Sequence, residues 1–162
     1  MIVVPDAGPL IYLAGAGQLD LLARLYGRVV VPLVVYEEVV VSGAGLIGSA
    51  QVAAARWIEV QDVAPDPTLA ELLDLGEAAA IPLAERLGAI LLCDDAAGRC
   101  EARRRRVAVV GTLGVLCLAK DRGLLDRVGP VIATMRAAGM YVSESLVHEV
   151  LLTAGEDDNE PR

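Results

Sequence analysis

Five carboxylates stand at strand ends or in the helices beside them, and together their positions suit one chemistry. Asp6 follows the apolar triplet Ile2-Val3-Val4, and Asp94 and Asp95 follow the apolar run Ile90 to Cys93. Glu38 lies in an expected helix after a second apolar run, and Glu77 lies in the first turn of the helix ahead of Asp94. Carboxylates gathered at one place repel each other, which raises their pKa values and costs stability until a cation neutralises them. Oxygen-only donors suit Mg²⁺ or Mn²⁺, which keep several waters and take a few carboxylates plus substrate phosphate oxygens. Such an ion lowers the pKa of bound water and neutralises charge developing on a phosphodiester. The chemistry these side chains would do together is metal-assisted phosphodiester hydrolysis.

Each acid also has a structural reading. Asp6, ahead of Gly8-Pro9, suits a helix cap. Asp74-x-x-Glu77 has the spacing of a capping box. Glu37 and Glu38 suit solvated surface charges. Asp94-Asp95 is harder to explain, because a second carboxylate adds nothing to one cap. Among other candidates, Thr112 follows the fifth apolar run and could bond a phosphate or cap a helix. Lys120 could meet phosphate or complement a helix C-terminus. His148 has no second His in the chain and reads as a structural or surface residue.

The elements that must position these residues alternate. Strands are expected at Ile2–Val4, Arg28–Val31, Trp57–Val60, Ala89–Cys93 and Val107–Val110. Helices are expected over Leu10–Tyr26 (interrupted near Gly15 and Gly17), Leu33–Val41, Gln51–Arg56, Thr68–Leu73, Leu75–Leu87, Arg99–Arg106, Thr112–Lys120, Val131–Ala138 and Ser143–Leu152. Continuous apolar strands separated by helices predict an α/β three-layer sandwich around a central, mostly parallel sheet. Right-handed crossovers then put all strand C-terminal ends on one edge, where such sheets bind ligands. One domain, residues 1–155, suffices, with residues 156–162 as an acidic disordered tail.

Composition narrows the class. The 162 residues are 55% hydrophobic and 22% charged, which is globular rather than disordered. Phe is absent and aromatics make up 3%, so a surface of aromatic platforms for stacked bases is disfavoured. No apolar run approaches a membrane span. The N-terminus lacks a basic region and carries Asp6, which argues against a signal peptide and for a cytoplasmic protein. Three cysteines form no CxxC pair, which disfavours a zinc cage or a disulfide framework; Cys93 and Cys117 read as small buried hydrophobes. The net charge is −8, yet residues 99–127 hold eight basic side chains against three acids. That stretch is either a local phosphate-binding face or a solvated helix face.

Five segments stand out together: Asp6-Ala-Gly-Pro-Leu-Ile11, Val31-Pro-Leu-Val-Val-Tyr-Glu-Glu38, Leu75-Gly-Glu77-Ala, Leu92-Cys-Asp-Asp95 with Gly98-Arg99, and Gly111-Thr-Leu-Gly114. With them the chain resembles the PIN-domain superfamily, the nuclease fold of VapC-like toxins. The segments fall in family order over residues 2 to 155, closest to a prokaryotic subfamily with an Asp-x-x-Pro-Leu-Ile start. The resemblance implies that Asp6, Glu38, Glu77 and Asp95 are catalytic, with Glu37 as a competitor for Glu38. It implies metal ligation by Asp6, Glu77 and Asp95 with Asp94 in support, the metal being Mg²⁺ or Mn²⁺. Arg99, Thr112 and Lys120 are then expected to bind substrate. The implied activity is cleavage of single-stranded RNA, as a homodimer and as a toxin held by an antitoxin-like protein inhibitor.

Two departures bear on this. Family members carry Ser or Thr within two residues of the first Asp, where this chain has Ala7 and Gly8. Pro82 inside the helix that starts near Glu77 is expected to kink it, at roughly 3 kcal/mol unless compensated. A catalytically weak module that binds RNA or a protein partner is therefore the main rival. A phosphoacceptor receiver domain is a lesser one, since no acidic pair follows the first strand.

Overall fold

The computed structural model describes residues 1–156. Five strands form one parallel sheet: β1 (Ile2–Pro5), β2 (Arg28–Pro32), β3 (Ile58–Gln61), β4 (Ile90–Leu92) and β5 (Val109–Val110). Their order across the sheet is β3-β2-β1-β4-β5, and every pairing is parallel. The direction of winding reverses between β1 and β4, which is where a doubly wound sheet opens a crevice beyond its strand ends.

Period-two alternation divides the strand residues between two apolar layers. Val3, Val29, Val31 and Leu92 face one core, with Leu10, Leu13, Leu116 and Ile132. Val4, Val30, Leu91 and Cys93 face the other, with Ile81, Leu83 and Ala84. The first core is covered by α1 (Ala7–Gly15), α2 (Leu21–Tyr26), α3 (Leu33–Glu37), α4 (Ser49–Ala54), α7 (Thr112–Asp121) and α8 (Gly129–Ala137). The second is covered by α5 (Leu75–Leu87) and α6 (Ala96–Arg104). The last helix, α9 (Glu144–Thr153), has no fully buried residue and packs on α7. The result is the expected three-layer α/β arrangement. No helix of the described residues is long and apolar enough to cross a membrane.

Four local departures from expectation have physical causes. The helix expected over Leu33–Val41 stops being α-helical at Glu38 and continues as a π-helical turn, Glu38–Ser42. Such turns recur at functional sites because they redirect side chains. The helix expected over Thr68–Leu73 shrinks to a 3₁₀ turn, Leu69–Glu71, since Asp66 Oδ1 accepts the amides of Thr68 and Leu69 at 2.9 and 3.2 Å. Helix α6 starts at Ala96, ahead of Arg99, because Asp95 caps it.

Pro82 is the fourth. It sits inside an uninterrupted α5, and the carbonyl its ring leaves without a helical donor, that of Ala78, accepts the Asp66 amide at 2.9 Å. A loop thereby supplies the hydrogen bond that proline removes.

Candidate active site

Asp6 and the Asp94-Asp95 pair leave β1 and β4, the two neighbouring strands at the winding reversal. The Asp6 amide donates to the Leu92 carbonyl at 2.9 Å, which ties the two strand ends together. Asp6 occupies the N-cap position of α1, yet its side chain makes no capping hydrogen bond. Among the described residues its buried Oδ1 has no hydrogen-bond partner. A buried acceptor left unpaired is costly, so the cap does not account for this residue.

Helices α5 and α6 bring the other acids to the same place. Asp74 and Glu77 form the capping box of α5: the Glu77 amide donates to Asp74 Oδ1 at 2.8 Å and the Asp74 amide to Glu77 Oε2 at 3.4 Å. Capping nevertheless leaves Glu77 only 4% exposed, with the Cys93 thiol donating to its Oε1 at 3.6 Å. Asp95 Oδ1 accepts the Ala97 and Gly98 amides at 2.9 and 3.0 Å, which fixes that carboxylate at the start of α6. Two glycines permit the crowding. A Cβ at Gly76 would lie 3.0 Å from Asp6 Oδ1, and one at Gly98 only 2.6 Å from Glu77 Oε1.

These residues surround an open cavity of about 500 Å³, lined by Asp6, Ala7, Gly8, Glu38, Asp74, Glu77, Asp94 and Asp95 among others. Among the described residues the lining contains no Lys, Arg or His. The electrostatic consequence is strong. Burial raises the Asp6 pKa to about 7, with the charges of Asp74, Glu77 and Glu38 adding to it and the Ala7 amide opposing. Glu77 is likewise pushed up to about 7, by burial first and then by Asp74 and Asp95. Glu38 is raised by burial and by Asp74. Oxygen and sulfur atoms of Asp6, Glu77 and Cys93 all lie within 4.8 Å of one another. Converging acids without a cation, one with an orphaned oxygen, fit a divalent metal.

A family model for the PIN domain matches residues 2–156. The chain belongs to the PIN-domain family. Among solved structures it is similar to a PilT N-terminus domain protein from the hyperthermophilic archaeon Sulfolobus solfataricus. The TM-score is 0.52 and the identity 16%, over 89% of this chain and 98% of that one. At that identity the likeness is one of fold. None of the curated proteins matches. PIN domains are typically nucleases, and the acidic cluster could hold a metal as such enzymes require.

The remaining candidate residues of this PIN domain divide into near and far. Glu38 lines the cavity and its neighbour Glu37 does not. Asp94 lines it too, but both its oxygens are taken: Oδ1 by the Thr112 amide at 2.7 Å and Oδ2 by the Thr112 hydroxyl at 2.6 Å. Gly111, the N-cap residue of α7, has no side chain, and Asp94 caps that helix from β4 instead. Thr112 is accordingly fully buried rather than turned to a substrate. Arg99 is not in the acidic cavity. Its Nη1 donates to the Cys93 carbonyl at 3.0 Å, and its side chain lines an adjacent groove of about 500 Å³ that shares Asp94 and includes Tyr141 and Leu146.

Lys120 does not reach the site. It lies in the last turn of α7, at the end opposite Thr112, and its Nζ contacts Glu156 at 2.7 Å. Part of the basic stretch is spent in the same way: Arg105 pairs with Asp66, Glu85 and Glu101, and Arg104 with Glu101. Sequence reasoning missed Asp74 as a cavity residue because the capping box already explained it. It also missed Glu156, which reads from the sequence as part of the tail. That carboxylate accepts the Val128 and Gly129 amides at 2.6 and 2.9 Å. The tail expectation for residues 157–162 lies outside the described residues.

Proposed function

We propose that this PIN domain is a divalent-metal-dependent ribonuclease that cleaves single-stranded RNA. The observation that carries the reading is the buried Oδ1 of Asp6, unpartnered among the described residues, on a side chain that lines a cavity with no Lys, Arg or His among those residues. Asp6, Glu77 and Asp95 are the residues that would hold Mg²⁺ or Mn²⁺, which supplies a water of lowered pKa and neutralises charge on the phosphodiester. Asp95 is held at Oδ1 by two α6 amides, so it presents a fixed carboxylate. Glu77 is oriented by the capping box and by Cys93. Glu38, on the π-helical turn, is the carboxylate available to take up the proton of the attacking water. Arg99, in the groove beyond Asp94, is the cation available to a neighbouring phosphate.

The RNA substrate, a toxin-like role in the cytoplasm, an antitoxin-like inhibitor and a homodimer rest on the family resemblance. Light scattering and co-purification with the product of any adjacent small reading frame test the last two. Cleavage itself is tested on a single-stranded RNA pool with Mn²⁺, with EDTA, and with Asp6→Asn protein purified identically. Metal-dependent cleavage lost in both controls supports the reading.

A second reading, a module that binds RNA without cutting it, is favoured by Ala7 and Gly8. Both line the cavity where the family carries a hydroxyl. If neither the natural protein nor Gly8→Ser cleaves any RNA with Mn²⁺ or Mg²⁺, this second reading replaces the first.

A further inference from the structure

Cys93 puts a sulfur donor into a cluster that otherwise offers only oxygen. It follows β4 directly, points into the layer covered by α5 and α6, and is 0% exposed. Its Sγ, one oxygen of Asp6 and one of Glu77 lie within 4.8 Å of one another. Three donors about 2.0–2.3 Å from one ion stand roughly 3.3–4.0 Å apart; the Cys93 thiol already lies 3.6 Å from Glu77 Oε1, so a contraction of up to about 1–1.5 Å lets all three atoms reach one ion. The state of Asp6 Oδ1 points the same way, for that buried oxygen has no protein partner. Hard cations such as Mg²⁺ and Mn²⁺ use the oxygens and ignore sulfur, whereas thiophilic ions favour mixed sulfur and oxygen sets.

We propose that Asp6 and Glu77 of the acidic cavity, with the buried Cys93 behind them, form a site for a thiophilic divalent cation, Zn²⁺ or Cd²⁺, and that this ion displaces the hard one. Binding forms a metal–sulfur bond and breaks the S–H bond, whose proton passes to solvent; nothing is oxidised or reduced. The thiol now donates to Glu77 Oε1 at 3.6 Å, so the ion takes the place of that proton between the two groups. The displacement half rests on the metal-dependent reading above; the binding half does not.

The test uses Cd²⁺ titrated into protein carrying Cys100→Ser and Cys117→Ser, which leaves Cys93 as the single thiol. The expected result is an ultraviolet thiolate-to-cadmium charge-transfer band that saturates near one equivalent. Asp6→Asn in the same background is expected to weaken binding about tenfold or more. In protein with all its cysteines, Zn²⁺ is expected to release bound Mn²⁺, followed by the magnetic resonance signal of the free ion, and Cys93→Ala to need about tenfold more Zn²⁺. No charge-transfer band in protein that is folded by circular dichroism overturns the proposal. So does a band that Asp6→Asn leaves unchanged, since the thiol would then bind apart from the carboxylates. A cadmium band in protein that shows no Mn²⁺ binding supports the soft site while sinking the hard-metal reading.

Discussion

Glu156 and Asp6 are buried carboxylates reached from the two ends of α7, and their surroundings are opposite. At the Lys120 end, Glu156 receives an ammonium and two amides from the start of α8, and its pKa falls below the ordinary carboxylate value despite the burial that opposes this. At the Thr112 end, beyond Asp94, Asp6 receives no cation and its Oδ1 no hydrogen bond from the described residues; its pKa rises to about 7. The same chemical group is thus satisfied in one place and left unsatisfied in the other. Satisfied acids close the fold, here by holding the end of the described chain against α7 and α8. Unsatisfied acids cost stability and persist where a ligand completes them.

The largest effect should come from cancelling the unsatisfied charge. Asp6→Asn keeps the shape and removes the charge, so metal-dependent cleavage is expected to fall by roughly 10²–10³, measured at saturating Mn²⁺. Without metal at pH 8 the same variant is expected to melt no lower than the natural protein. Asp6→Asn protein that keeps its rate would break the comparison at its functional side.

Next in size is the opposite change. Glu156→Ala strips Lys120 of its partner and leaves two α8 amides without acceptors, a loss of about 1–3 kcal/mol. Denaturant unfolding should register it, while the cleavage rate measured below the melting temperature stays unchanged.

The two regions should also answer pH in opposite directions. Asp6 and Glu77 have folded values near 7 against ordinary values of 3.8 and 4.5. The folded state therefore holds extra protons between about pH 4 and 7, and stability from these groups is lost as pH rises through that window. Glu156 is depressed, so its contribution is present above its ordinary value of 4.5 and is lost as pH falls below it. Melting curves from pH 5 to 8 should show the first loss without metal, and millimolar Mn²⁺ should abolish it. A flat profile without metal would mean that the acids are not buried as described.

The smallest expected change sharpens the site. A Cβ at Gly8 meets nothing within 4 Å, so Gly8→Ser fits without displacing its neighbours. A hydroxyl there should raise the cleavage rate about tenfold, less than the roughly 10²–10³ of a full oxyanion hydrogen bond. Steady-state rates at fixed Mn²⁺ measure it.

Much of this arrangement is readable without the structure. Leu75–Leu87 is delimited to the residue, because Asp74 and Glu77 mark its start and Gly88 its end. The order of apolar runs also implies a parallel sheet, and with it a single edge carrying Asp6 and Asp95. What is not readable depends on neighbours remote in sequence. Nothing near Pro82 reveals that the Asp66 amide serves Ala78. Nothing near Lys120 reveals that Glu156 claims it, 36 residues on. Glu38 rather than Glu37 lines the cavity, and which of two adjacent glutamates turns inward depends on how their helix packs, which composition does not signal.

By itself, then, the sequence determined the elements, their alternation and the identity of the acids that end β1 and β4, because hydrophobic period, capping chemistry and proline act over a few residues. Which of those acids stay unpaired was decided only in three dimensions. Asp94 and Asp95 are adjacent and alike, yet one is held by Thr112 across the sheet edge and the other caps α6 at the cavity. The pairing of a buried charge depends on which donors the packed strands and helices bring within about 3 Å, and that distance is set by tertiary packing.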